Sequence, residues 1–156
     1  VTAAVARITL EEAPDPEAQE AVWSGLRAFN EMHSGPGSFD SRPLRVVLRD
    51  EAGAPLGGLI GRSYAGWLYV ELFHIPEAHR RAGLGREILA MAEREAAERG
   101  CIGVRLETMS FQAPGFYARL GYSVVGTLRD FPPGHTRFTL AKRLDGAPLE
   151  VSACST

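Results

Sequence analysis

A chain of 156 residues is long enough for one domain with a real core and short for two. Its 45% hydrophobic and 23% charged residues suit a soluble globular protein, and a net charge of -2 argues against a nucleic-acid partner, whose surface needs a positive excess. No apolar run approaches the ~20 residues of a membrane span, no basic-apolar signal opens the sequence, and two cysteines make no disulfide framework, so no membrane partner and a cytoplasmic location are expected.

Residues 4–10 alternate weakly and fit a first strand. The segment EEAPDPE reads as a turn with an acidic helix entry, Pro16 sitting where a first-turn proline is tolerated. Between Glu17 and Met32, the residues Ala18, Val22, Leu26 and Phe29 recur at helical spacing, and SGPGSFDSRP after them is a loop. Strands follow at 44–49, 55–64 and 67–75, joined by compact Gly-containing turns. Gly57, Gly58 and Gly61 predict a bulge or a close backbone approach in the second of these. The third, WLYVELFHI, is apolar on both faces and therefore central. In a regular strand its two polar residues, Glu71 and His74, would face opposite ways.

That strand runs into His79-Arg80-Arg81-Ala82-Gly83-Leu84-Gly85-Arg86, and a helix follows at once. Leu84, Ile88, Leu89, Ala92 and Ala96 share one face of it, and Gly100 ends it. A strand, a glycine turn and a helix N-terminus together make a phosphate site, because unpaired amides and the positive end of the helix dipole meet there. Gly83 and Gly85 leave those amides uncovered, and Arg80, Arg81 and Arg86 add cationic contacts. A Walker A loop is excluded by spacing, and a dinucleotide fingerprint by Ile88, where a small residue is required. Beyond the helix a parallel crossover strand is expected at 102–108, a short helix at 113–120, and an antiparallel pair at 123–128 and 136–144. Cys101, behind a helix-stopping Gly, fits a buried free thiol, whereas Cys154 lies in a polar tail.

The string Arg80-x-x-Gly83-x-Gly85 resembles the pyrophosphate-binding signature of the GNAT family of N-acetyltransferases. A second stretch, SFQAPGFYARLGY, is similar to that family's other motif through Ala113, Phe116, Tyr117, Gly121 and Tyr122, with Ser110 standing where Asn is usual. The resemblance covers roughly residues 42–143. It implies an α/β chain of the α+β type with the acyl-CoA N-acyltransferase fold: a mixed, mostly antiparallel central sheet, flanked by helices, in which one parallel strand pair splays apart. It further implies acetyl-CoA as cosubstrate, an amine acceptor and a frequent habit of pairing as homodimers. One N-acetyltransferase domain over 1–144 and a loose tail over 145–156 are expected.

On this reading the cofactor contacts are His74, Ile75, Arg80, Arg81, Ala82, Gly83, Leu84, Gly85, Arg86, Ser110, Gln112 and Tyr117. Ser110 is shorter than the family's Asn, so Gln112 or a water takes over part of its contact. Tyr117 is the candidate proton donor to the departing thiolate, since a phenol of pKa near ~10 stays protonated at neutral pH. Its alternative is packing of the short helix. Glu71 is the candidate base for an amine that would otherwise be protonated, and its alternative is an ion pair with Arg62 or Arg105. His74 fits a hydrogen-bonded core histidine better than a second base. The backbone N–H groups near His74 and Ile75 would meet the thioester oxygen. Trp23, Phe29 and Phe39 could line the acceptor side, but Trp23 and Phe29 fit a core role better. His33, His79 and His135 show no paired ligand spacing, so no metal is expected. A non-catalytic acyl-CoA-binding module is the rival reading, and the retention of Tyr117 favours the enzyme.

Overall fold

The computed structural model describes residues 6–151. One compact unit runs up to Phe39 and a second begins at Asp40. In the first, residues 6–10 carry no strand, and residues 4 and 5 of the expected strand lie outside the described residues, as does Cys154. Helix α1 spans Pro16–Ser34; Asp15 caps it by accepting from the Ala18 amide at 3.0 Å, and Pro16 occupies the first turn, where no amide is missed. No residue of α1 is buried, which corrects the core role expected for Trp23 and Phe29: they are 54% and 59% exposed. Among the described residues of its own unit, α1 has no second helix or strand against which to bury its stripe.

The second unit is a six-stranded sheet with β1 at Arg42–Arg49, β2 at Pro55–Tyr64, β3 at Trp67–His74, β4 at Gly103–Met109, β5 at Ser123–Arg129 and β6 at Thr136–Arg143. The strands lie in the order β1-β2-β3-β4-β6-β5, and every neighbouring pair is antiparallel except β3 with β4. That exception follows from the crossover through α2, Leu84–Glu98, since a parallel connection needs a long return. A shorter helix, α3 at Pro114–Arg119, leads back toward β5.

The core lies between one face of the sheet and α2. Leu44, Leu59, Leu68, Val70, Val104, Leu106 and Leu140 meet Ile88, Leu89, Ala92 and Ala96 there. The spacing of those four helical residues is the one read from the sequence, and each large aliphatic buried this way contributes about 1.5–3 kcal/mol. Gly100 ends α2 in a left-handed turn, with the Cys101 amide bonded back to the Ala96 carbonyl at 2.9 Å. Cys101 follows as a buried free thiol, its pKa raised by burial. Arg99 fastens this end of α2 to the sheet, donating to the Arg42 and Pro43 carbonyls at 3.2 and 3.1 Å.

Candidate active site

The parallel ladder between β3 and β4 is short. It runs from Trp67 opposite Gly103 to Val70 opposite Leu106, and there it stops. Beyond that point β3 stays paired with β2 as far as His74, while β4 stays paired with β6 as far as Met109, so the two strands part in the middle of the sheet. A bulge sits at the parting. Ile60 pairs with Leu72 and Gly61 with Val70, leaving Glu71 as the extra residue. Gly61 makes the bulge possible, because a Cβ there would lie 2.4 Å from the Tyr69 carbonyl oxygen. The extra residue also shifts the alternation of the strand. Glu71 and Leu72 are both exposed, Phe73 turns inward and His74 outward, so Glu71 and His74 share the outer face rather than opposing each other. His74 is therefore exposed, not the core histidine expected.

On the inner face, beside α2, the parting is floored by aromatic rings. Phe73 lies 6.2 Å from Phe116 and 6.5 Å from Tyr117, and Tyr117 lies 5.8 Å from Tyr122, all between ring centroids. Tyr117 is 8% exposed, and burial pushes its pKa up to about 12. Its hydroxyl makes no hydrogen bond to any described residue. Tyr122 is the opposite case: it donates to Glu93 at 2.8 Å, and the same carboxylate accepts from Lys142 at 2.8 Å. Burial and the Glu93 carboxylate hold its phenol protonated. Of two neighbouring phenols, one is committed to structure and the other is available.

The glycine turn lies next to this floor. Residues Glu77–His79 form a single 3-10 turn, and Arg80 folds back to donate from Nε to the Ile75 carbonyl at 2.9 Å. Arg81 and Gly83 have φ of 68° and 80°, which for Gly83 costs nothing. Gly83 caps α2 without any side-chain hydrogen bond, and the first helical amide bond is Glu87 to the Gly83 carbonyl at 3.1 Å. The amides of Leu84, Gly85 and Arg86 precede that bond at the positive end of the helix. A Cβ at Gly83 would meet nothing within 4 Å, so the space over the turn is open. At Gly85 the situation differs: a Cβ would come within 3.2 Å of Ile75 and 3.3 Å of Phe116. Gly85 lets α3 approach the start of α2, which brings Tyr117 close to the turn. Arg86, with Glu93, Arg119 and Lys142, lines a polar cleft farther along α2.

Ser110 and Gln112 are both engaged locally. The Ser110 hydroxyl accepts from the Thr136 amide at 3.2 Å, and the Ser110 amide donates to the Thr136 carbonyl at 2.8 Å. The Gln112 side-chain oxygen accepts from the Met109 amide at 2.8 Å and from Thr108 Oγ1 at 3.2 Å. Ser110 and Gln112 thus fix the loop after β4, while the Gln112 NH2 group makes no hydrogen bond within the described residues.

The outer face carries charge. Glu71 accepts from Arg62 at 2.8 Å, which selects one of the two ion-pair partners anticipated. Arg105 instead stacks on Tyr69, its guanidinium carbon 4.0 Å from the ring centroid, and donates to the Tyr64 hydroxyl. A second pair, Glu107 with Arg137, stands on the other side of the parting, where Arg137 lies 4.6 Å over Phe131. Sequence reasoning passed over Glu107 and Arg137. The signal was present, because Arg105 and Glu107 have the same parity on a strand whose alternate residues Val104, Leu106 and Thr108 are buried. Among the described residues no group of three His, Cys, Asp or Glu could hold a metal ion, and no helix is long and apolar enough to cross a membrane.

The chain and its fold have counterparts among known proteins. Residues 3–122 match the family model described as the acetyltransferase (GNAT) family. The acetyltransferase Atu2258 of Agrobacterium fabrum is 38% identical over 134 residues, covering 86% of this chain and 96% of its own. The blasticidin-S acetyltransferase of Streptomyces morookaense is 44% identical over 110 residues, covering 68% and 81% respectively. A crystal structure of an acetyltransferase from Bacillus cereus superposes with a TM-score of 0.79 at 28% identity, over 87% of this chain and 98% of that one. With the family model spanning well over half its length and a relative of this identity aligned nearly end to end, the chain belongs to the GNAT family of acetyltransferases.

Proposed function

We propose that this acetyltransferase moves the acetyl group of acetyl-CoA to a primary amine by direct attack in a ternary complex, with residues 1–144 as its catalytic domain. The observation that carries the reading is the parting of β3 from β4, which puts an unpartnered phenol on one face and a carboxylate on the other. The residues fit the cosubstrate. The open space over Gly83 and the uncapped amides of α2 suit a pyrophosphate, with the exposed Arg80, Arg81 and Arg86 around them. When bound, acetyl-CoA supplies the activated acetyl group. The chain's own residues do the rest. Past Val70, β3 has no β4 partner, so the backbone at His74 and Ile75 is free on that side to donate to the acyl oxygen. Tyr117 holds a proton at neutral pH and delivers it to the sulfur that departs. Burial that makes its phenolate costly makes a thiolate costly too, so donor and acceptor remain matched.

Glu71 receives the proton of the incoming amine from the outer face. Arg62 contacts only its Oε1, which leaves the second oxygen for that task. The amine acceptor is a small molecule by analogy with the Streptomyces relative, a blasticidin-S acetyltransferase. The test is thiol release from acetyl-CoA by the purified protein across a panel of amines. Amine-dependent release is expected; acetyl-CoA binding without release from any amine would instead establish the non-catalytic acyl-CoA-binding module.

A further inference from the structure

Five charged side chains share the outer face around the parting: Arg62, Glu71, Arg105, Glu107 and Arg137. Glu71 is taken by Arg62, and Glu107 by Arg137. Arg105 is left over, with no acid partner among the described residues. Its guanidinium is held by two tyrosines instead. The guanidinium carbon lies over the Tyr69 ring, 4.0 Å from the centroid, Tyr64 accepts one of its N–H groups, and the Tyr64 ring centroid is 5.6 Å away. Two tyrosines thus hold a guanidinium on the central strand β4, and its remaining N–H donors have no partner among the described residues. A stacked guanidinium keeps its fork free for a planar anion, the geometry that carboxylates fit.

We propose that Arg105 anchors a carboxylate carried by the amine acceptor, so that the enzyme's substrates are amines bearing an acid group. The proposal rests on the amine-acetylation reading and adds the acceptor's class to it. Register sets the spacing. Arg105 pairs with Tyr69, two residues before Glu71, a strand rise of about 7 Å. An acceptor whose nitrogen lies beside Glu71 would reach Arg105 with a carboxylate roughly 5–8 Å away. A carboxylate there also offsets the one excess positive charge of the cluster. A purely structural brace would need the stack on Tyr69 but no unpaired donors.

The experiment uses two matched pairs of amines in the thiol-release assay: L-lysine against 1,5-diaminopentane, which differ by one carboxylate, and 4-aminobutanoate against butylamine. The wild-type protein is expected to favour the carboxylate member of at least one pair by roughly 10- to 100-fold in kcat/KM, the worth of one charge-assisted contact. Arg105→Met should collapse that ratio toward one through KM. Arg105→Lys, which keeps the charge and not the fork, should retain part of it even if the Met variant folds poorly. A wild-type ratio near one overturns the proposal, as does a ratio that Arg105→Met leaves unchanged. Failure to acetylate any of the four amines by protein that binds acetyl-CoA calorimetrically overturns the acceptor class alone. Failure to bind acetyl-CoA would overturn the acetyl-transfer reading beneath it.

Discussion

At the scale of single residues, the contrast between Tyr117 and Tyr122 sharpens the proton-donor role read from the sequence, because Tyr122 is bonded to Glu93. Tyr117→Phe removes one hydroxyl that bonds to no described residue, so it should lower kcat by about 10²–10⁴ with little change in acetyl-CoA affinity, the range for a lost general acid. Equal losses in binding and turnover would make the ring a packing element. The same phenol gives a stability signature with a definite sign. Its pKa is about 12 in the folded protein against ~10 unfolded, so the folded state holds the extra proton between those values. Stability from this group is complete below about pH 10 and falls by roughly 2–3 kcal/mol as pH rises through 12. Tyr117→Phe should remove that part of the alkaline loss, measured as the denaturant midpoint across pH 9–12.

Glu71→Gln tests the other partner. If the carboxylate receives the amine's proton, the variant should lose most activity at neutral pH and regain part of it as pH approaches the amine's own pKa. A variant that melts earlier but keeps the wild-type pH profile would assign Glu71 to its ion pair with Arg62 alone. That pair is surface-exposed, with side chains 46% and 30% accessible, and such pairs contribute at most about 1 kcal/mol. A large loss of stability is therefore not expected.

At the scale of elements, the glycines of β2 and of the turn before α2 separate packing from binding. Gly61→Ala would force a Cβ to 2.4 Å from a backbone oxygen, so it should destabilise the protein by about 1–3 kcal/mol and reduce activity by disturbing the bulge. Gly83→Asp puts its side chain into open space at a left-handed φ, so the folding cost should stay near 1–2 kcal/mol. Acetyl-CoA affinity should fall at least 10-fold, from charge repulsion at the proposed phosphate site. Calorimetry on folded protein showing unchanged affinity would remove the turn from the binding site. The six strands from β1 on, the crossover helix and both motifs were legible because alternation, the 3.6-residue period and glycine spacing are local properties, whereas the weak alternation before Leu10 misled. The glycines of β2 signalled a bulge, but not that Glu71 would be the extra residue, since that depends on the partner strand; this reversed the expected relation of Glu71 to His74. The choice of Arg62 over Arg105 as partner was hidden for the same reason, both being plausible neighbours until register is known.

At the scale of the whole molecule, direct attack requires both substrates to be bound together. Initial-rate patterns should intersect rather than run parallel. Cys101 lies buried before β4, at the end remote from the parting, so Cys101→Ala should leave turnover within about twofold. Parallel lines, or loss of activity on that substitution, would instead call for an acetylated cysteine.

The brevity of the β3–β4 ladder has a further consequence, for folding and motion. Only four residues on each strand join β1-β2-β3 to β4-β6-β5, two antiparallel blocks whose own pairings connect strands mostly near in sequence. The β1–β2, β2–β3 and β5–β6 pairings form from local hairpins, whereas the seam closes over a sequence separation like that of the β4–β6 return and is held by fewer pairs. Amides from Trp67 to Val70 that point across the seam should then exchange with solvent sooner than those deep inside either block. A ligand wedged into the parting would tie the blocks together, and acetyl-CoA should slow exchange at the seam more than in either outer strand.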